Sequence, residues 1–221
     1  MRTIILAAGQ GYKLGNFNKL LLKDPATGLT TLDLYQEIFS DTEICIVVGY
    51  KAVHIMNSYP QYKYIYNPDW HITKDSYSLG LALSEEPSYI IHSDIIISKN
   101  IRKKMDLFDS DCAVTMNRDD RTSSSLNCGI SGKNINTIYQ GELINPNDPE
   151  LIGIYKIVNS NSLKILRVNC LKHKNLFIGQ NISLNKDIPL VEVNVGNKEI
   201  TIIKTPLDFM NFIENRKIED E

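Results

Sequence analysis

The 221-residue sequence predicts an α/β protein built on a parallel sheet, and three observations carry that class. Ile4-Ile5-Leu6 and Ile44 to Val48 are apolar without alternation, as strands are when both of their faces are covered. Between and after them the pattern changes to helical spacing and back, giving a β-α-β-α-β alternation that calls for a parallel sheet with right-handed crossovers. The first strand ends in Ala7-Ala8-Gly9, small residues at the carboxyl end of a strand, where open α/β sheets take their ligands.

From Ile4 to Leu22 the chain reads I-I-L-A-A-G-Q-G-Y-K-L-G-N-F-N-K-L-L-L. Glycines at 9 and 11 free the peptides after the strand to turn their N–H groups toward one point, a concavity suited to anions. Lys13 and Lys19 add positive charge, so the stretch reads as a cradle for a triphosphate. It is not a P-loop, because Tyr12 and Lys13 stand where Lys and Ser or Thr are required after the glycine. A dinucleotide fingerprint fails as well, since Gly15 falls one residue late.

Further along, Asp24 to Gly28 is a turn, and Thr30 or Thr31 caps a helix carrying Leu34, Ile38 and Phe39. A short helix over Val53 to Met56 leads to a third strand, Tyr62 to Tyr66. Asn67-Pro68-Asp69-Trp70 opens a polar loop, and a helix runs from about Ser76 to Leu83 with its amino end available to a ligand. Tyr89 to Ile97 reads as one apolar strand interrupted by Asp94, with His92 expected on the opposite face and structural in role. A charge inside such a run is costly unless it is paired or holds a metal. Ser98 caps a helix to Phe108, Cys112 to Met116 is a strand, and Asn117 to Ser125 is a polar loop. Asn127 to Ser131 and Ile135 to Tyr139 form a hairpin, and Leu151 to Ile157 is a strand. A helix from Ser160 to Val168 precedes a loop over Leu171 to Lys186. Leu190 to Val195 and Glu199 to Ile203 pair around Gly196-Asn197 as a second hairpin. Thr205 caps a last helix with Pro206 at its first position, and Asn215 to Glu221 is a charged, fraying end.

Leu6 to Gly9, Gly11, Lys13, Leu14, Gly15 and Lys19 to Leu22 match L-A-A-G-x-G-x-[RK]-[LM]-G…K-L-L-L. That signature resembles the nucleotidyltransferases of the molybdenum-cofactor and of the sugar-phosphate and phosphocholine type. Asn67, Pro68, Trp70, Ser78 and Leu79 match the N-P-x-W…S-L stretch of the same enzymes, and Gly153 and Tyr155 their G-x-Y strand. The resemblance implies a single-domain, three-layer α/β/α fold with a Rossmann-like, mostly parallel sheet, of the nucleotide-diphospho-sugar transferase or glycosyltransferase A type. It implies one domain over residues 1–221, with a nucleotide-binding half in 1–110 and an acceptor-binding half in 111–221.

What the resemblance implies for the site is specific. Gly9, Gly11 and Lys13 hold the β- and γ-phosphates, and Lys19 stabilises charge developing at the α-phosphate, which makes Lys19 and Lys13 the catalytic candidates. Leu6, Ala7 and Ala8 line the base, with Asn67 and Ser78 near base or sugar. Asp94 holds Mg²⁺ or Mn²⁺. Lys204 stands before T-P-L-D, where sugar-phosphate relatives commonly carry an Asp. The expectation is that Lys204 projects toward the phosphates and takes part of the metal's role; the alternatives are a second ligand from Glu192 or Glu199, or a silent enzyme. CTP is the first choice of nucleotide and a sugar phosphate or phospho-alcohol the acceptor. The alternative functions are a glycosyltransferase of related fold, against which the missing D-x-D speaks, and a catalytically silent nucleotide-binding protein.

A net charge of −2, 43% hydrophobic and 23% charged residues suit an ordinary soluble protein and offer no basic face for nucleic acid. No apolar run reaches the roughly 18 residues of a membrane span, and Met1-Arg2-Thr3 leads straight into a strand, so a cytoplasmic setting is expected. Cys45, Cys112, Cys128 and Cys170 are too dispersed for a zinc site or a disulfide framework.

Overall fold

The computed structural model describes residues 1–184 and 187–219, with side chains through Glu214. The first half runs β1 (Arg2–Ala7), α1 (Thr31–Ile38), β2 (Glu43–Val48), α2 (Ala52–Ser58), β3 (Lys63–Tyr66), α3 (Asp75–Ala82), β4 (Ser88–His92), β5 (Ile95–Ile97) and α4 (Lys99–Asp106). Then follow β6 (Cys112–Met116), β7 (Leu126–Ser131), β8 (Asn134–Gln140), β9 (Glu150–Ile157), α5 (Ser160–Lys172), α6 (Ile178–Ser183), β10 (Leu190–Val195), β11 (Ile200–Ile202) and α7 (Pro206–Glu219).

Nine strands form one sheet in the order β3-β2-β1-β4-β9-β6-β10-β8-β7, and β11 and β5 pair separately. Only β9 and β8 run against the direction of the other seven strands. β1 is wholly buried because it sits mid-sheet between layers of helices. Ile5 and Ala7 face one core with Leu32 and Tyr35 of α1, Ile55 of α2 and Ile101 of α4. Ile4 and Leu6 face the other, with Leu79 of α3, Leu163 and Leu166 of α5 and Ile178 of α6. These are the three layers expected, and each core apolar side chain contributes through the area it removes from water.

From β1 the chain moves through α1, β2, α2 and β3 to one edge of the sheet. It then returns through α3 to place β4 on β1's other side. The strand order therefore reverses between β1 and β4, and a crevice opens above their carboxyl ends. Local rules hold the flanks. Thr30 Oγ1 accepts from the Asp33 N–H at 3.1 Å while Asp33 Oδ2 accepts from the Thr30 N–H at 2.7 Å, a reciprocal cap on α1. Lys156 buries its ammonium at the end of α4, donating to the carbonyls of Phe108 at 2.8 Å and Met105 at 3.2 Å.

Three expectations are corrected. Tyr89 to Ile97 is two strands in two sheets, because the chain turns at Ser93-Asp94 and leaves β1. The Ser93 N–H donates to Leu6 O at 3.1 Å, the last rung on β1, and the Ile203 N–H then donates to Asp94 O at 2.7 Å. The hairpin over Leu190 to Ile203 does not form: β10 inserts between β6 and β8, and β11 pairs with β5. The apolar faces of β10 and β11 find partners distant in sequence, and burial there outweighs the short turn between them. The stretch from 171 contains structure, since α5 continues to Lys172 and α6 follows; Asn185 and Lys186 lie outside the described residues. α6 is started by Gln180, whose Oε1 accepts from the Phe177 N–H at 2.9 Å. The expected fraying of 215–221 concerns side chains outside those described, as are residues 220 and 221. All four cysteines are buried and free, and no described helix is long and apolar enough to cross a membrane.

Candidate active site

The crevice above β1 and β4 is walled by Leu6, Ala7, Ala8 and Gly9 on one side and by Asn67, Trp70 and Ser78 on another. Gly11 adopts a left-handed φ of 63°, and a Cβ there would stand 2.7 Å from the Phe17 carbonyl oxygen, so the loop closes only with glycine. Gly9 is different. Among the described residues a Cβ there meets no atom within 4 Å, so the bare backbone opens onto space rather than packing against them. Asn18 Oδ1 accepts from the Leu20 N–H at 3.1 Å and caps the short 3₁₀ turn Lys19–Leu21, which aims Lys19 back into the crevice.

There Lys19 Nζ meets Asp94 Oδ2 at 3.2 Å. Asp94 sits on the turn after β4, and Tyr35 of α1 secures that turn from below by donating to the carbonyls of His92, at 3.2 Å, and Ile95. Burial pushes the Asp94 carboxyl up, but the Lys19 ammonium and the His92 imidazole pull it down further, with a smaller pull from Lys204, so it is held below the usual carboxylate range. Burial, assisted by the Asp94 charge, raises the Tyr35 hydroxyl well above its ordinary value.

The crevice continues into a second half lined by Leu151, Ile152, Gly153, Tyr155, Phe177 and Lys204, with Asp75, His92 and Asp94 common to both. His92 therefore does not point away from Asp94: residues two apart along an extended chain share a face, and both side chains line one cleft. Its Nε2 lies 3.0 Å from Asp75 Oδ2. Burial lowers the imidazole, and the contact with Asp75 more than offsets it, so its pKa is raised. Gly153, at φ 82°, leaves room for the ring; a Cβ there would lie 2.8 Å from His92 Nδ1.

Most of the residues named from the sequence are brought together: Leu6, Ala7, Ala8, Gly9, Gly11, Lys19, Asn67, Ser78 and Asp94 line the first half, and Lys204 the second. Asn67 Nδ2 donates to Ser78 Oγ at 2.9 Å and its Oδ1 accepts from the Asp69 N–H at 2.9 Å, so both residues shape the floor through each other. Lys13 is not brought in. It is exposed, its Nζ 6.0 Å from the centre of the neighbouring Tyr12 ring, because the 3₁₀ turn over Tyr12–Leu14 carries it outward. Glu192 and Glu199 stand elsewhere, accepting from Thr115 and Asn194 in one case and from Asn100 and Lys104 in the other. Sequence reasoning missed Tyr35 and the Asp75–His92 pair; a polar side chain closing an apolar strand was the available signal for His92.

Among the described residues, no three His, Cys, Asp or Glu side chains converge as a metal cage. A Mg²⁺ ion keeps several waters and takes phosphate oxygens, needing only one or two carboxylates from a protein. The ionised Asp94, beside the open space over Gly9, fits such an ion.

No protein-family model matches the sequence, and no curated protein matches it. Solved structures do. The CTP:phosphocholine cytidylyltransferase from Streptococcus pneumoniae superimposes with a TM-score of 0.76 at 18% identity, over 96% of this chain and 97% of that one. A putative glucose-1-phosphate thymidylyltransferase from Bacillus anthracis gives 0.75 at 20% identity, over 96% and 93%. The inositol-1-phosphate CTP transferase from T. maritima gives 0.74 at 16% identity, over 96% and 93%. At these identities what the chain shares with them is the fold, the one that its first-strand signature led us to expect.

Proposed function

We propose that the protein is a nucleotidyltransferase that moves a nucleoside monophosphate, CMP from CTP, onto the phosphate of a small phosphorylated acceptor. The observation that carries this reading is Lys19 converging on Asp94 at 3.2 Å beside the glycine loop, in a cleft continuous with a second half. Residues 1–110 would supply the nucleotide half and 111–221 most of the acceptor half. The structural likeness to enzymes whose names specify cytidylyl and thymidylyl transfer supports the reaction class.

In the reaction an oxygen of the acceptor phosphate forms a bond to the α-phosphorus, and the bond from that phosphorus to the oxygen bridging to the β-phosphate breaks. Pyrophosphate leaves with that electron pair. The acceptor phosphate is already anionic, so no protein base is needed, and positioning with charge neutralisation dominates. The backbone around Gly9 and Gly11 would seat the β- and γ-phosphates, and Lys19 would release its contact with Asp94 to follow charge onto the α-phosphate. Lys13 would reach the outer phosphates only if the 3₁₀ turn Tyr12–Leu14 reorients. Leu6, Ala7 and Ala8 would face the base, above the floor built by Asn67 and Ser78. Asp94 would hold Mg²⁺ or Mn²⁺, which when bound neutralises phosphate charge. Lys204 would add a compact positive charge from the acceptor side.

The test is pyrophosphate release on mixing the protein with each nucleoside triphosphate, Mg²⁺ and phosphorylated acceptors. Release with CTP and an acceptor, and not with either alone, is expected. Release that ignores the acceptor would contradict the proposal.

A further inference from the structure

Glu150 opens β9 and is 5% exposed, yet it lines the second half of the cleft. Its Oε2 is sealed from solvent and has no hydrogen bond among the described residues. The nearest cation, Arg118, keeps Nη1 3.6 Å away, also without a hydrogen bond. The rest of that guanidinium is committed to Asp120, with Nε to Oδ1 at 2.9 Å and Nη2 to Oδ2 at 2.6 Å. The other two carboxylates of this half-cavity have closer cationic partners, Lys19 Nζ at 3.2 Å from Asp94 and His92 Nε2 at 3.0 Å from Asp75. Buried acceptors are rarely left unserved, and one in the wall of a ligand cleft invites a donor from the ligand.

The placement gives the half-cavity a direction. His92 and Lys204 cluster with Asp94 at the junction with the nucleotide half. Glu150 lies three residues beyond Gly153 along β9, roughly 10 Å away at the usual strand rise. A phosphate would sit at the cationic junction, and the rest of the acceptor would extend toward Glu150.

Resting on the nucleotidyltransferase reading above, we infer that Glu150 determines acceptor specificity by accepting an O–H or N–H from the body of the acceptor. The substrate class is then a phosphomonoester whose alcohol carries a hydroxyl or a primary ammonium. Esters whose body has no such donor fit less well.

The test uses the full chain with glucose 1-phosphate, glycerol 3-phosphate, phosphoethanolamine and phosphocholine, the last having no donor on its body. Acceptor affinity is measured by calorimetry without nucleotide, and turnover as pyrophosphate release with CTP. The sugar and glycerol arms separate a hydroxyl from the ammonium of the ethanolamine arm. At least one donor-bearing ester should bind about 10-fold more tightly than phosphocholine. Glu150→Gln should weaken that ester roughly 10- to 100-fold, leaving phosphocholine, CTP affinity and melting temperature within a few-fold or a few degrees. Phosphocholine binding best, or Glu150→Gln weakening every ester and CTP alike, would overturn the inference. Donor-dependent binding without pyrophosphate release would sustain the role of Glu150 and overturn the reaction instead.

Discussion

Replacing Lys19 with Ala separates a structural from a chemical role. At 3.2 Å and an effective dielectric of about 20, the bare attraction between Lys19 and Asp94 is about 5 kcal/mol. Most of it is offset by desolvation, and the two side chains, 19% and 24% exposed, are still screened by water. Asp94 also keeps the fields of His92 and Lys204 when Lys19 is gone. The net loss of stability is therefore about 1 kcal/mol, a fall in melting temperature of about 2–4 °C for a chain of this size. On the proposed mechanism the transition state should be affected far more, because a preorganised charge at the α-phosphate would contribute about 2.7–4 kcal/mol, or 10²- to 10³-fold in turnover. Pyrophosphate release at saturating CTP, acceptor and Mg²⁺, alongside a thermal melt, reads both quantities. Turnover within a few-fold of the parent would remove Lys19 from the mechanism, and unfolding at the assay temperature would make it a structural residue.

Gly11→Ala should destabilise the protein by about 1–2 kcal/mol, since it combines a positive φ with a Cβ 2.7 Å from Phe17 O; Gly9→Ala should leave the melt unchanged and weaken binding of a fluorescent CTP analogue. Asp94→Asn should weaken nucleotide binding with Mg²⁺ more than without it, and equal losses in calorimetry would mark Asp94 as structural. Mn²⁺ titration followed by electron paramagnetic resonance should find one ion per chain with CTP bound, and a second in Lys204→Asp; two in the parent would refute the part assigned to Lys204. Glu199, held below the usual carboxylate range by Lys104 and the Gly196 N–H against burial, contributes stability that is present above the unfolded pKa of about 4.3 and lost as pH falls through the lower folded value. Glu199→Gln should therefore flatten the acid side of a melting-temperature profile, and an unchanged profile would refute that assignment.

The first 110 residues are readable because their signals are local. The unalternating Ile4-Ile5-Leu6 run, the left-handed Gly11 and the Thr30–Asp33 cap each follow from a few neighbouring residues. The second half depends on pairings that no short window contains. Gly196-Asn197 has hairpin chemistry, yet Val191 pairs with Cys112 and Ile202 with Ile95, far back in the sequence. His92 was expected to face away from Asp94, yet residues two apart along a strand share a face, and both side chains line one cleft. Lys13 follows the motif in sequence, but its side chain stands outside the cleft, since a 3₁₀ turn reverses direction within three residues. Tyr35 and Glu150 gave no signal at all, because each takes its meaning from a loop or a cavity assembled by distant strands.

The central claim is that this cleft joins a nucleotide to a phosphorylated acceptor, and mass spectrometry of the products tests it most directly. Incubating the protein with CTP labelled in its α-phosphate, Mg²⁺ and a phosphomonoester should yield pyrophosphate and a diphosphate that joins CMP to the acceptor through a P–O–P anhydride and carries the label. Product in which the label remains in unreacted CTP, or appears only as free CMP, would contradict it.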